Sequence, residues 1–399
     1  MKTMLLNELK HLLNEEESSI RIREQTSFDP WKNKILTYGI ILFGSGGFGK
    51  RTLKGLRKIG IEPLGFCDNN PTLWNSRIDG LTVYSPADAV NKFSNAVFMV
   101  TIWSDMIGHP VADVEKKLHL YGNVEVISFF SLFWQYPEEF LPYFGIDAPH
   151  KTSQQHSTVI DGYNLFNDEL SQREYLSQIR LRLLGDHQGL SEPGGFTQYF
   201  PDDLFNLNDH EVFVDCGAFN GDTLKAFLGK QKDQFKKYIA FEPDPINFNK
   251  LREFASALPD GIREKIVPEQ FAVSDRKKEI RFSSDGSLQS SFSENGNIVV
   301  NCVALDSHLK DDAVSYIKMD AEGSEPEILL GAAHLIRQHS PILAVSVYHQ
   351  FDHLWSLPLA IKELTKEYDF FLRPHCKASW DLICYAIPRH RSKQVNSRP

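Results

Sequence analysis

Paired cysteines, long apolar runs and a surplus of positive charge are all missing from this 399-residue chain. The five cysteines, Cys67, Cys216, Cys302, Cys376 and Cys384, are odd in number and include no C-x-x-C pair. That argues against a disulfide framework and a structural zinc site, and for a reducing, cytoplasmic compartment. No stretch approaches the roughly 20 apolar residues of a membrane span. The opening MKTMLLNELKHLLNEEESS is amphipathic, carries acids and lacks a small-residue cleavage site, so it does not read as a signal peptide. Lys and Arg number 43 against 52 Asp and Glu, a net charge of −9. A nucleic-acid surface needs a basic field to displace counterions, so no nucleic-acid partner is expected. The local run Lys50, Arg51, Lys54, Arg57 and Lys58 reads as the solvated face of one helix.

What is present is ordinary for a globular chain: 42% hydrophobic and 24% charged residues. The length points to two domains. The fold class read from the pattern is α/β, with two successive open, Rossmann-like domains. Residues 1–30 form an N-terminal helix, with Leu5, Leu6, Leu9, Leu12 and Leu13 at helical spacing. That stripe packs on the body or serves self-association into a homo-oligomer. Residues 31–150 alternate strands (GIILFGSG, EPLGFCDNN, AVFMVTI, NVEVISF) with helices, which implies a parallel sheet. Residues 151–195 read as a linker whose helix, QREYLSQIRLRLLG, stops at Gly185. Residues 196–399 hold the second domain, with strands EVFVDCG, KYIAFEP, KIVPEQFAV, VSYIKMD, ILAVSVY, DFFLRPH and LICYAIP.

The stretch VFVDCGAFNGDT, 212–223, carries the most chemistry. A central parallel strand is covered on both faces, hence its near-continuous apolar run. Its carboxyl end lies where open α/β sheets bind ligands. Gly217 and Gly221 allow a tight turn and close approach of backbone to ligand. Asp215 is expected to turn its charge toward a cationic ligand. Glu242, 21 positions after Gly221, can accept both hydroxyls of a ribose. D-x-G-x-x-x-G is not the diphosphate fingerprint. It suits a positively charged nucleoside without phosphates, such as S-adenosylmethionine. The expected cofactor set is Asp215, Gly217, Ala218, Gly221, Thr223, Glu242 and Asp275, the last where adenine's amino group would lie. Further on, IKMDAEGSEPEILLGA ends a strand with Asp320 and Glu322, and Ser324 with Glu327 reads as a capping box with Pro326 in the first turn. AVSVYHQFDH ends the next strand at Tyr348 and His349. Neighbouring strand ends bring Asp320, Glu322 and His349 together as the catalytic candidates.

These pieces, DCGAFNGDT, FEPDP, AVSD, IKMDAEGSEPEILLGA and YHQFDHLWSLP with FFLRPHC and ICYAIP, resemble the FkbM family of methyltransferases over about residues 196–390. The resemblance implies a class I methyltransferase sheet and an S-adenosylmethionine-dependent O-methyltransferase acting on sugar or polyketide hydroxyls. His349 is the first candidate base, since imidazole titrates near neutrality, and Asp320 the second. No metal is assigned. If one binds, Asp320, Glu322, His349, Asp352 and His353 are its candidate ligands, with His349 and His353 on one face only if the stretch is helical. The polar stretch 283–296 is expected over the cofactor crevice or as a solvated hairpin loop.

In the first domain, LFGSGGFGKR holds G-x-G-x-x-G as Gly44, Gly46 and Gly49, followed by Asp68. A glycine turn at a helix start presents N–H groups to phosphate. GFCDNN and GLTVYSPAD resemble the amino-terminal, nucleotide-sugar-holding domain of sugar acetyltransferases. A nucleotide-sugar, NAD or no ligand at all remain open there. The alternatives for the whole chain are a non-catalytic nucleotide-binding scaffold and an NAD-dependent sugar oxidoreductase.

Overall fold

The computed structural model describes residues 2–103, 110–187, 189–191, 194–283, 291–292, 296, 298–376 and 380–393. The chain divides into two compact units. One is Met1–Val159 with Leu176–Glu192 and Cys376–Trp380, and the other is Ile160–Tyr175 with Pro193–His375 and Asp381–Pro399. The division falls inside the helix Glu169–Leu184, within the segment expected to be a linker.

The first 38 residues form three helices where one was expected: Lys2–Leu13, Glu17–Thr26 and Asp29–Tyr38. Pro30 stands in the first turn of the third helix, where its missing N–H costs nothing. Leu5, Leu9 and Leu13 of the apolar stripe are buried, so at these positions the stripe packs on the body of the chain. Strands β1 (Ile40–Phe43), β2 (Gly65–Cys67), β3 (Arg77–Ile78), β4 (Leu81–Tyr84), β5 (Val97–Val100) and β6 (Glu125–Ser128) form a sheet in the order β3-β4-β2-β1-β5-β6. All pairs are parallel except β3 with β4. Ile40 and Leu42 enter one core cluster while Ile41 and Phe43 enter another. A strand covered on both faces needs this apolar run, which is why β1 is legible as a central strand.

The second unit is built on β7 (Val212–Cys216), β8 (Lys237–Phe241), β9 (Ile266–Glu269), β10 (Ala272–Val273), β11 (Lys278–Ser283), β12 (Ser291–Phe292), β13 (Ile298–Val303), β14 (Tyr316–Met319), β15 (Ile342–Ser346), β16 (Tyr368–Pro374) and β17 (Leu382–Pro388). The main sheet has seven strands in the order β16-β17-β15-β14-β7-β8-β9, and β17 runs antiparallel to both its neighbours. The segment read as one strand, KIVPEQFAV, is two. β9 stays in the main sheet and β10 joins a separate four-stranded sheet, β10-β13-β11-β12. Register places Tyr238, Phe213 and Tyr316 side by side on β8, β7 and β14. Their rings stack at 4.8 and 4.5 Å, an aromatic ladder that pins the three strands whose ends carry the site.

Candidate active site

The chain order reverses at β7, with β8 on one side and β14 on the other. The crevice at such a switch point is where open sheets bind ligands. Met319, Cys216 and Phe241 are register partners at the carboxyl ends of β14, β7 and β8. Asp320, Gly217 and Glu242 come next on the three strands and therefore share one edge.

Gly217 has φ +87°, and a Cβ there would lie 2.0 Å from the backbone oxygen of Asp320. Only glycine fits. Gly221 (φ +91°) caps the helix Asp222–Gln231, and the turn between is tied down by Gly217 N and Ala218 N, which both donate to Phe241 O. Ala218 is buried in this turn and Thr223 at the start of the helix that follows. Glu242 is buried, and it accepts Phe219 N at 2.8 Å and Asp244 N at 2.8 Å. Burial outweighs these bonds and pushes its carboxyl up to about 7.

Asp215 is not at the edge. It sits within β7, fully buried, and its register partner on β14 is Lys318. Lys318 Nζ lies 3.0 Å from Asp215 Oδ1 and donates to Gly217 O, while Tyr238 Oη donates to Asp215 Oδ2 at 2.6 Å. Burial works against the Lys318 ammonium, but Asp215 and then Asp320 more than offset it and raise its pKa. The charge expected to face a cationic ligand is thus matched inside the sheet. Asp275 follows β10 of the smaller sheet and pairs with Lys278 at 2.8 Å, and that bond holds its carboxyl below the usual range.

Asp320, Glu322 and His349 do converge. His349 Nε2 lies 3.3 Å from Asp320 Oδ1 and 4.0 Å from Glu322 Oε1. His349 Nδ1 meets Glu325 Oε1 at 2.8 Å. Glu325, fully buried at the start of the helix Glu325–Gly331, also accepts Ala321 N at 2.8 Å. The expected capping box is absent, for Ser324 makes no side-chain cap bond; the Glu325 carboxylate takes up the loop's N–H groups. Tyr199 Oη donates to Asp320 Oδ2 at 2.6 Å. Burial alone would raise Asp320, but Lys318 and His349 hold it below the usual carboxylate range. Glu322 has φ +51° and a side chain 30% exposed, and burial pushes it up to about 7.

His349 does not titrate near neutrality as expected. Burial presses its pKa down, but Glu325, Asp320 and Glu322 together push it up to about 10. With no cation beside it, these carboxylates favour the protonated ring, which is poorly suited to take a proton. His353 begins the helix His353–Leu364, so the stretch from His349 is not a helical turn. Its Nδ1 faces Glu325 Oε2 at 3.4 Å, behind His349. Asp352 precedes that helix as its N-cap. Lys318, Glu325 and Tyr199 were not singled out from the sequence. Most of 283–296 lies outside the described residues.

Residues 215–372 match the family described as Methyltransferase FkbM domain. The second unit carries an FkbM methyltransferase domain. The solved methyltransferase FkbM of Methylobacillus flagellatus KT aligns with 93% of this chain and 100% of its own, with TM-score 0.72 and 20% identity, which shows a shared fold. UDP-D-quinovosamine 4-dehydrogenase from Vibrio fischeri aligns with 22% of this chain and 75% of its own, at 21% identity and TM-score 0.19, too low to indicate a common fold. No curated protein matches. The matched range takes in the carboxyl end of β7 and all of β8, β14 and β15, and with them Gly217, Glu242, Asp320, Glu322 and His349.

In the first unit, Gly44 (φ +116°) and Gly49 pack tightly, since a Cβ on Gly49 would lie 2.0 Å from Gly44 O. A Cβ on Gly46, just before the helix Gly47–Lys58, would meet nothing within 4 Å. Asp68, the acid that completes that nucleotide-binding pattern, accepts Ser45 N at 2.9 Å and Ser45 Oγ at 2.5 Å. Its carboxylate secures the glycine turn. Among the described residues no helix is long and apolar enough to cross a membrane.

Proposed function

We propose that the chain is an S-adenosylmethionine-dependent O-methyltransferase whose acceptor is a hydroxyl of a sugar or glycan precursor. The observation that carries this reading is one sheet edge. It joins a glycine turn too close-packed for any side chain, a buried acid on the next strand, and two carboxylates around a histidine on the other side.

These residues fit the cofactor. Gly217 to Gly221 would receive its amino-acid end, and Glu242, with one carboxylate lone pair left on each oxygen after its two backbone bonds, would accept the ribose hydroxyls. When bound, S-adenosylmethionine supplies an electrophilic methyl on a sulfonium. The protein's own tasks are to align the acceptor oxygen and to remove its proton. Asp320, ionised and braced by Tyr199, positions the acceptor hydroxyl. Glu322 takes its proton, since a carboxyl near 7 is matched to the working pH. The oxygen's freed electron pair forms the new C–O bond. His349 holds both carboxylates in place and is not the base. The sugar reading rests on the family resemblance.

Methyl transfer from labelled S-adenosylmethionine to a panel of sugars and nucleotide-sugars tests the proposal. Label should appear on a hydroxyl, and Glu322→Gln should slow turnover by about 100-fold or more. Full turnover in that variant would remove Glu322 from the reaction. No labelled product from any hydroxyl acceptor would overturn the reading.

A further inference from the structure

Within the acidic cluster of the FkbM domain, His349 is placed as a ligand would be. Its side chain is 2% exposed, and Nε2 makes no hydrogen bond. Asp320 Oδ1 stands in front of it at 3.3 Å. That separation is long for a charge-assisted N–H···O bond, which runs at about 2.7–2.9 Å. It matches the spacing of two donors on one ion. Ligand bonds of about 2.0–2.2 Å in tetrahedral geometry put neighbouring donors roughly 3.3–3.6 Å apart.

The other ring nitrogen supports the same reading. Nδ1 is engaged by Glu325 Oε1 at 2.8 Å, and that oxygen is itself anchored by Ala321 N. Metal-binding histidines characteristically give their second nitrogen to a carboxylate, which fixes the ring and raises its basicity. One donor atom from each of Asp320, Glu325 and His349 falls within 4.8 Å of the others. Glu322 adds a third carboxylate on the front side, 4.0 Å from Nε2. Asp320 and Glu322 are part-exposed at 21% and 30%, so the front of the cluster faces solvent and leaves positions for an incoming oxygen.

We propose that His349 Nε2, releasing its proton to solvent as the ion binds, and Asp320 Oδ1 hold a divalent cation, with Glu325 orienting the imidazole from behind and the remaining positions open to the acceptor hydroxyl. This deepens the function proposed above and rests on it for the acceptor. The cation would draw electron density from the hydroxyl and lower its pKa. The O–H bond then breaks toward Glu322, which stays free as proton acceptor. A mixed imidazole and carboxylate set suits manganese or zinc better than calcium.

The full chain, stripped with chelator, is titrated with manganese, and free aqueous Mn2+ is followed by electron paramagnetic resonance. Saturable uptake of one ion per chain is expected. His349→Gln and Asp320→Asn should each abolish it. Glu325→Gln, which never touches the ion, should weaken it by about 10–100-fold. Asp320 is part-exposed, so its variant keeps the test open if the buried His349→Gln does not fold. S-adenosylhomocysteine binding is measured on the same samples. No uptake of Mn2+ at millimolar metal by protein that binds S-adenosylhomocysteine would overturn the cation site and leave the methyltransferase reading standing. Uptake unchanged in folded Asp320→Asn would overturn it too. Failure of S-adenosylhomocysteine to bind would overturn the proposed function, while the manganese titration alone decides the site.

Discussion

Lys318→Met tests whether Asp215 is a structural ion and not a ligand contact. The Lys318 side chain is 3% exposed and that of Asp215 is 0% exposed, and their charges stand 3.0 Å apart within the sheet. Lys318 also donates to Gly217 O and lies 5.2 Å from the centre of the Tyr199 ring. Methionine keeps the length of the stem and deletes the charge. Asp215 is then left buried with Tyr238 as its remaining donor. Breaking a buried pair in this way costs about 3–5 kcal/mol. At a urea slope near 2 kcal/mol per M, that lowers the midpoint by about 2 M. The assay is urea unfolding of the full chain followed by circular dichroism, read at the transition that S-adenosylhomocysteine shifts. Adding Asp215→Leu to Lys318→Met should recover at least about 2 kcal/mol, because an apolar pair of similar volume is often neutral. A loss below about 1 kcal/mol for the single variant, or no recovery in the double, would refute the reasoning.

The remaining expectations concern the turn and the buried acid. Gly217→Ala should lower the melting temperature by about 4 °C or more, from a left-handed φ worth about 1–2 kcal/mol and a Cβ 2.0 Å from a backbone oxygen. Gly229→Ala, with nothing within 4 Å and a place inside a helix, should be neutral or stabilising, and equal losses at the two sites would sink the argument. Glu242 holds its proton more tightly folded than unfolded, because burial raises its carboxyl from 4.5 to about 7. Its contribution to stability therefore falls as pH rises from about 4.5 to 7, by up to about 3 kcal/mol, and is level above that. Glu242→Gln should flatten this part of the pH–stability curve, whereas parallel curves for the two proteins would show that the group is not perturbed.

The edge was legible in the sequence wherever chemistry is local. Gly217 and Gly221 were read from spacing, and β7, β8, β14 and β15 from the near-continuous apolar runs that strands covered on both faces require. What escaped were partners far apart in the chain. Lys318 pairs with Asp215 across 103 positions, and nothing near VFVDCG announces that its acid is already matched. Tyr199 reaches Asp320 from a segment with no strand or helix signal. Glu325 was masked by a capping-box pattern that its own buried carboxylate displaces. His349 was read from its ordinary pKa, which three surrounding carboxylates override. The strand KIVPEQFAV was read as continuous because β9 and β10 are separated by only two residues, too few to carry a turn signature.

Isothermal calorimetry of S-adenosylhomocysteine against the full chain tests the central claim most directly. Saturable binding at one site per chain is expected, weakened about 10–100-fold in Glu242→Gln through loss of charged hydrogen bonds to the ribose. No heat at millimolar ligand with folded protein, or binding that Glu242→Gln leaves unchanged, would contradict a nucleoside site at the ends of β7 and β8.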